Sequence, residues 1–195
     1  MTTNANIQAD ITLDCVGLAC PMPLVKTKKA MDQLQSGQVI KMQATDKGSL
    51  ADLQSWAKNT GNQYLGTIYE GNVMHHYVRK ANPNEVKEAA KFPQIVSNEE
   101  LQAKLSAEEQ VIVLDVREPA EYAFHRVPGA ISIPLGDLER RMNELAKEQA
   151  LYVICRTGNR SDMACLQLAE HGFSNVYNVV PGMSGWNGAT EGGAQ

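Results

Sequence analysis

The most constraining stretch of the chain is a continuous apolar segment, Leu151–Ile154, which is followed at once by a short polar loop and then by a helical pattern. Uninterrupted apolar runs are typical of parallel strands that are buried on both faces. The loop covers residues 155–161, and its first residue is Cys155. Because ligands of open α/β sheets bind beyond the carboxyl ends of the strands, we expect Cys155 to lie at such an edge.

The loop after this strand has the features of an anion-binding site. Its backbone N–H groups and the N-terminus of the next helix converge on Cys155, and they favour the thiolate over the thiol. Arg156 can hold an anionic substrate. Arg160 can do the same, or it can pair with Asp115 or Glu118 and brace the loop. A buried, inert thiol is the alternative for Cys155. The candidate substrate-binding residues are Arg156, Thr157, Gly158, Asn159 and Arg160.

Length and charge narrow the function classes. The 195 residues allow one large or two small domains, and the net charge of -4 predicts no nucleic-acid partner and no anionic membrane partner. No apolar run approaches the roughly 20 residues that span a bilayer, and residues 1–10 lack the pattern of a secretory signal. We therefore expect a cytoplasmic protein whose four cysteines are thiols rather than a disulfide framework.

The adjacent residues His75 and His76 raise the question of a metal site with Cys15 and Cys20. Neighbouring residues of a strand point to opposite faces of its sheet, so the two histidines cannot easily ligate one ion. We therefore expect surface or half-buried histidines, no metal site and no cofactor.

The first half of the chain shows the element order βαβαββ, with strand patterns at 11–14, 39–44, 64–69 and 73–78. Pro21 suits the first position of the first helix, because its missing N–H would be unpaired there in any case. That assignment puts Cys20 at the N-cap. The pattern predicts a two-layer α+β domain over residues 11–80, preceded by a flexible segment at 1–10.

The second half alternates helices and strands, which predicts an α/β domain over residues 94–190 with a mainly parallel central sheet. Ser97 and Glu100 have the spacing of a capping box, and the pattern at 138–148 predicts a further helix. Prolines at both ends of residues 81–93 indicate a linker, with room for a short helix. Residues 191–195 are expected to form a C-terminal tail.

The second half resembles the single-domain rhodaneses, over about residues 94–190. The resemblance rests on four motifs in the family's order and spacing, which are Asp115-Val116-Arg117-Glu118, Val127-Pro128-Gly129-Ala130, Cys155-Arg156-Thr157-Gly158-Asn159-Arg160-Ser161 and Gly182-Met183-Ser184-Gly185-Trp186. It implies that Cys155 is the catalytic cysteine, with Asp115 and Arg117 as supporting residues. Many relatives carry Gly-His where this chain has His125-Arg126, so no histidine role is carried over.

The first half resembles the TusA-like sulfur carriers, over about residues 10–80. The resemblance rests on Leu13-Asp14-Cys15, Cys20-Pro21-Met22-Pro23 and Ala44-Thr45-Asp46-Lys47-Gly48-Ser49, followed by Asp52 and Trp56. It implies that Cys20 holds sulfur as a persulfide, the alternative being a plain capping thiol. Cys15 either resolves that persulfide or packs at a strand end, and packing is favoured. Cys165 lies among core-like residues of a helix and is expected to be buried and inert.

Together the two resemblances imply a sulfurtransferase fused to a carrier. Cys155 would take sulfane sulfur from thiosulfate or glutathione persulfide and pass it to a thiol or a sulfur-carrier protein, with Cys20 as acceptor or as donor in the reverse direction. One alternative is a non-catalytic protein that binds sulfur-trafficking partners. Another is a phosphatase or arsenate reductase, but Cys155 and Arg160 enclose four residues, one fewer than in the related phosphatases, and the shorter loop favours sulfur.

Overall fold

The protein divides into two compact units in a computed structural model that describes residues 7–82 and 91–193. The first unit lies within residues 7–82 and the second within residues 91–192. The short helix considered for the linker falls outside the described residues. In the described parts of the chain, no helix is long and apolar enough to cross a membrane.

The first unit packs two helices on a four-stranded mixed sheet, and this confirms the predicted α+β class. Strand β1 runs parallel to β2, whereas β4 is antiparallel to both β2 and β3, in the order β1-β2-β4-β3. Apolar side chains of the helices and strands form a shared core. Its elements are β1 (Ile11–Cys15), α1 (Met22–Gln33), β2 (Val39–Ala44), α2 (Gly48–Thr60), β3 (Gln63–Glu70) and β4 (Val73–Arg79).

The start of the first unit is held against strand β2. Ile7 is buried, and the backbone N–H of Asp10 donates to the carbonyl oxygen of Val39 at 2.9 Å. In return the Asp10 carboxylate accepts from the Val39 N–H at 2.7 Å. Residues 7–10 are therefore part of the folded unit, although the sequence predicted a flexible segment; residues 1–6 lie outside the described residues.

The second unit has a five-stranded sheet in which every neighbouring pair is parallel, and this confirms the predicted α/β class. The strand order is β5-β9-β8-β6-β7, so β8 is central, and all four of its residues are buried. The elements are β5 (Ile95–Ser97), α3 (Asn98–Ser106), β6 (Ile112–Asp115), α4 (Pro119–Phe124), β7 (Ile131–Ser132), α5 (Leu138–Arg141), β8 (Leu151–Ile154), α6 (Asn159–Glu170) and β9 (Val176–Val180), with a further 3-10 turn at Gly182–Gly185.

Two helix predictions in this unit have different outcomes. The capping box is present, because Ser97 Oγ accepts from the Glu100 N–H at 3.2 Å and Glu100 Oε2 accepts from the Ser97 N–H at 2.8 Å. The predicted helix at 138–148 is wrong beyond its first turns. Helix α5 ends at Arg141, a 3-10 turn covers Met142–Glu144, and Leu145 has extended backbone. The apolar spacing that predicted the helix fits this irregular path equally well, since Leu145 is buried along it.

Residues at both edges of the second unit extend its fold beyond the expected range. Phe92, which the sequence placed in the linker, is buried in the core, and its N–H donates to Asp162 Oδ1 at 2.8 Å. Near the other end, Glu191 and Arg126 exchange two backbone hydrogen bonds of 2.8 and 2.9 Å. Both segments therefore pack on the second unit.

Candidate active site

Cys155 lies directly after the carboxyl end of the central strand β8, as the sequence predicted, and the residue is only 1% exposed. The Gly158 N–H donates to Cys155 Sγ at 3.1 Å, and Ser161 Oγ lies 3.3 Å from the same sulfur. Two hydrogen-bond donors therefore converge on the sulfur from the loop and from the first turn of α6. Such a nest suits a sulfur atom that carries negative charge.

The nest depends on the backbone of Gly158, which caps the N-terminus of α6. Its φ of 97° lies in the left-handed region, which side chains other than glycine rarely adopt. A Cβ atom at this position would approach Cγ1 of Val180 to 2.8 Å, which is closer than real contacts allow. The loop can therefore turn its N–H toward the sulfur only with glycine here.

Ser161 has three acceptors for its single proton. Its Oγ lies 3.3 Å from Cys155 Sγ, 3.0 Å from the Gly158 carbonyl oxygen and 2.6 Å from Asn178 Oδ1. Asn178 also donates from Nδ2 to the Gly158 carbonyl at 3.2 Å. All of these groups are buried. The hydroxyl can therefore turn toward the sulfur when negative charge develops there.

Asn178 is a residue that sequence reasoning missed. It is fully buried in the middle of β9, where the rest of the strand is aromatic or aliphatic. Buried polar side chains need hydrogen-bond partners, so an asparagine within an apolar strand is a usable signal for a polar contact. Ser161 stood within the quoted loop motif without a role of its own, and the structure places its hydroxyl at the sulfur.

Arg160 is engaged with a partner that the sequence did not indicate. Its Nη1 donates to Glu121 Oε2 at 2.8 Å and its Nη2 donates to Oε1 at 3.0 Å. Asp115 and Glu118 were the expected partners. The pair with Glu121 on α4 braces the loop, which was one of the two roles predicted for Arg160.

Asp115 and Arg117 form a buried ion pair at the end of β6, the strand beside β8. Arg117 donates from Nε and Nη2 to the Asp115 carboxylate at distances of 2.6 to 3.1 Å. Its Nη2 also donates to the His125 carbonyl oxygen at 2.5 Å. The pair therefore holds the strand end beside the loop, which fits a supporting role.

The rest of the loop is tied to the segment after β9. The carbonyl oxygen of Cys155 accepts from the Met183 N–H, and that of Arg156 accepts from the Ser184 N–H, both at 2.8 Å. Gly182 makes this approach feasible, since a Cβ there would lie 2.4 Å from the Cys155 carbonyl oxygen. Among the other predicted loop residues, Arg156, Thr157 and Asn159 are half-buried.

Cys20 in the first unit is exposed and lies in a different chemical environment. Its backbone N–H donates to Asp46 Oδ2 at 3.0 Å, and its thiol donates to Asp52 Oδ2 at 3.2 Å. The hydrogen bond to Asp52 is the main cause that raises the pKa of the Cys20 thiol, and partial desolvation and the charges of Asp52 and Asp46 add to it. Resting Cys20 is therefore held as a thiol.

The prediction that Cys20 caps a helix is wrong. Helix α1 begins at Met22, its N-cap is Pro21, and Pro23 occupies the second helical position. Pro21 has φ of -97° and ψ of 9°, outside the helical region. Because Cys20 donates its own N–H to a carboxylate instead of entering the helix, the neighbouring aspartates determine the state of its sulfur.

Cys20 lines a shallow pocket on the first unit. Val16 and Met22, on either side of Cys20 in sequence, are exposed. The exposed Cys20 thiol is accessible to a folded partner, in contrast to the buried Cys155. The pocket at Cys20 is lined by Pro21, Pro23, Leu24, Asp46, Ser49, Asp52 and Leu53.

Cys15 and Cys165 are both fully buried in the cores of their units. Desolvation is the main cause that raises the pKa of each thiol. For Cys15, the charge of Lys26 acts in the opposite direction and that of Asp14 adds to the rise. Both environments fit the packing roles that were favoured from the sequence.

The two histidines are buried, whereas surface or half-buried positions were expected. His76 Nε2 lies 3.0 Å from Ser49 Oγ, and its Nδ1 lies 2.8 Å from the Tyr64 hydroxyl. Burial lowers the pKa of His76 to about 4, with a smaller contribution from His75. Within the described ranges, no cluster of three or more His, Cys, Asp or Glu residues could hold a metal ion.

Both units of the chain match known protein families. The family model for Sulfurtransferase TusA matches residues 11–80, and the model for Rhodanese-like domain matches residues 97–189. YrkF of Bacillus subtilis, provisionally named a sulfur carrier protein, is 48% identical over 185 residues, which cover 95% of this chain and 100% of that protein. The chain belongs to the same protein family as YrkF.

This chain thus carries both modules in one polypeptide. YtwF of Bacillus subtilis, provisionally named a sulfurtransferase, is 40% identical over 96 residues, covering 49% of this chain and 92% of that protein. A crystal structure of a rhodanese-related protein from Thermoplasma volcanium covers 50% of this chain and 97% of its own, with 30% identity and a TM-score of 0.47. The two family models and the likeness to YrkF show that sulfur transfer is the general chemistry of the protein and that the sulfurtransferases are its class.

Proposed function

We propose that the protein takes sulfane sulfur from thiosulfate or a low-molecular-weight persulfide onto Cys155 and passes it to a thiol acceptor, with Cys20 as its partner in the relay. The observation that carries this proposal is the nest at Cys155, where the Gly158 N–H and the Ser161 hydroxyl both reach Sγ. A persulfide is an anion, so these donors stabilise the loaded state as well as the attacking thiolate.

In the loading step, Cys155 Sγ attacks the outer sulfur of thiosulfate. A bond forms between the two sulfur atoms, the original S–S bond of thiosulfate breaks, and sulfite leaves with its electron pair. Arg156, half-buried in the loop, supplies positive charge for the dianionic donor. Arg160 donates to Glu121 from both terminal nitrogens, and this pair holds the loop.

In the discharge step, an acceptor thiolate attacks the outer sulfur of the Cys155 persulfide. The new S–S bond forms on the acceptor, and Cys155 departs as a thiolate into the same nest. The sulfane sulfur keeps its oxidation state throughout, so the cycle needs no cofactor. The protein would work in the reducing cytoplasm, where its four free cysteines stay available as thiols.

The assignment of Cys20 as the second thiol is supported by its exposure and by the similarity of the chain to a sulfur carrier. YrkF, whose name denotes a sulfur carrier, is similar to this chain over both units. An exposed thiol can meet small donors, partner proteins or the active loop of the same or another chain. These acceptors all use the same exchange chemistry.

The test is to load the full chain briefly with thiosulfate or glutathione persulfide and to locate the added sulfur by peptide mass spectrometry. We expect the Cys155→Ser variant to lose loading at residue 155 and to slow the loading of Cys20 from thiosulfate. Cys20→Ser should leave Cys155 loaded. Cys165→Ala is the matched control, because it removes a buried thiol outside the loop.

Two results would contradict the proposal. Loading of Cys20 from thiosulfate at the full rate in the Cys155→Ser variant would exclude the relay. Absence of added sulfur on Cys155 with every donor would exclude the sulfurtransferase role and favour a non-catalytic binding protein.

A further inference from the structure

Cys155 and Cys20 differ in the kind of hydrogen-bonding group that faces the sulfur atom. Cys155 Sγ is approached by hydrogen-bond donors, namely the Gly158 N–H at 3.1 Å and the Ser161 hydroxyl at 3.3 Å. Cys20 Sγ instead faces an acceptor, Asp52 Oδ2, at 3.2 Å. The first environment stabilises negative charge on sulfur, whereas the second stabilises a bound proton.

Two aspartate carboxylates, those of Asp52 and Asp46, lie next to Cys20. Asp52 lies on the first turns of this helix and is half-buried, while Asp46 precedes the helix and accepts the Cys20 N–H at 3.0 Å. Asp46 also accepts from the Gly48 N–H at 3.1 Å, which fixes its carboxylate. The charged groups that act on the Cys20 thiol are thus two aspartates, and both favour its protonated form.

From this contrast we propose that Asp52 makes Cys20 a weak holder, and therefore a ready donor, of sulfane sulfur. The proposal rests on the proposed carrier role of Cys20. The hydrogen bond from thiol to carboxylate exists only while Cys20 is unloaded. Once sulfur arrives, the thiol proton is gone, and the persulfide anion stands beside the negative charge of Asp52.

The exchange balances without a further reagent. When Cys20 takes sulfur from the glutathione persulfide anion, its Sγ bonds to the outer sulfur and the S–S bond of the donor breaks. The proton of the Cys20 thiol passes through the Asp52 carboxylate to the departing glutathione thiolate. The products are the Cys20 persulfide anion and neutral glutathione thiol, and Asp52 returns to its starting state.

The consequence is that Cys20 holds sulfane sulfur less strongly than Cys155 does. Loading of Cys20 gives up a favourable hydrogen bond and creates a repulsion, whereas loading of Cys155 keeps its donors engaged. At equilibrium the sulfur therefore favours Cys155 over Cys20. Sulfur that reaches Cys20 is released more readily to the next acceptor.

The test measures the loading equilibrium of the full chain in fixed mixtures of glutathione persulfide and glutathione. Peptide mass spectrometry gives the ratio of persulfide to thiol at Cys20 and at Cys155. We expect Asp52→Asn to raise the ratio at Cys20 by about two- to fivefold, the size of an exposed charge interaction, and to leave Cys155 unchanged. The alkylation rate of Cys20 at pH 7.5 should rise by a similar factor.

Two matched variants control for other effects. Asp32→Asn removes an exposed carboxylate from the same unit and should behave like the unmodified chain. Asp52→Glu keeps the charge and should restore a low loading ratio. Equal Cys20 loading in Asp52→Asn and the unmodified chain would overturn this inference and leave the relay intact. Absence of persulfide on Cys20 in both proteins would overturn the carrier role and this inference with it.

Discussion

Glu121 and Arg160 form a bidentate ion pair inside the second unit, with nitrogen–oxygen distances of 2.8 and 3.0 Å. Glu121 lies on α4 and Arg160 in the first turn of α6, directly after the loop that carries Cys155. The side chain of Glu121 is fully buried, and that of Arg160 is nearly so. The pair therefore anchors the end of the loop to a separate helix.

Removal of the charge on Glu121 should be strongly destabilising. Glu121→Gln removes the negative charge that both terminal nitrogens of the buried Arg160 guanidinium contact, and we expect the free energy of unfolding of the second unit to fall by about 3 kcal/mol. Urea unfolding followed by the fluorescence of Trp186, in a background with Trp56→Phe, measures this. The exposed Glu99→Gln is the control and should change stability by less than about 0.5 kcal/mol. An unchanged midpoint in Glu121→Gln would refute the anchoring role.

Loss of the Ser161 hydroxyl should slow the loading of sulfur onto Cys155. The hydroxyl is one of two donors at Cys155 Sγ, and a hydrogen bond to a charged atom contributes about 1.5 to 3 kcal/mol, which corresponds to a factor of ten or more in rate. Single-turnover formation of the Cys155 persulfide in Ser161→Ala measures the effect. Ser174→Ala, at an exposed position, should load at the unmodified rate. Equal rates in both variants would show that the Gly158 N–H suffices.

Gly182 should not tolerate even a methyl group. Its φ is 78°, and a Cβ would press on the carbonyl oxygens of Cys155 and Arg156 at 2.4 and 3.1 Å. We expect Gly182→Ala to cost more than about 2 kcal/mol of stability and to lower the loading rate, because the loop must move. The comparison is Gly136→Ala, where a Cβ meets nothing within 4 Å. Thermal unfolding of the two variants measures the difference in stability, and equal unfolding midpoints would contradict the prediction.

The first unit should lose stability in mild acid because of His76. Its pKa is lowered to about 4 in the folded unit, against about 6.5 in an unfolded chain, so the unfolded state binds more protons between these values. The contribution is complete above pH 6.5 and is lost as the pH falls toward 4. We expect about 2 to 3 kcal/mol less stability at pH 4.5 than at pH 7.5 from this residue.

The measurement is urea unfolding followed by Trp56 fluorescence in a background with Trp186→Phe. Carboxylates titrate in the same range, so the informative quantity is the difference between the unmodified residue and His76→Gln. If both proteins lose the same stability between the two pH values, the buried histidine is not the source.

The features that the sequence predicted well are those encoded by local patterns. Val39–Ala44 and Leu151–Ile154 are strands with the predicted bounds, because apolar runs between turn residues leave few alternatives. The capping box at Ser97 is likewise written in adjacent residues. The position of Cys155 after a buried strand follows from the same kind of local signal.

The features that the sequence did not reveal join residues far apart in the chain. Asp52 reaches Cys20 across 32 positions and Glu121 reaches Arg160 across 39. The sequence contains many carboxylates that could pair with a given thiol or guanidinium. Only the packing of α2 and α4 brings Asp52 to Cys20 and Glu121 to Arg160. For that reason Cys20 was expected to respond to a helix terminus, whereas an aspartate governs it.

Asn178 carries a consequence for any attempt to exchange parts between proteins of this kind. One buried amide on β9 satisfies the Ser161 hydroxyl and the Gly158 carbonyl at once. A chimaera that imports the loop 155–161 without its matching β9 would leave those groups unpaired in the interior. The loop and β9 would therefore have to be exchanged together, although residues 162–175 separate them in the chain.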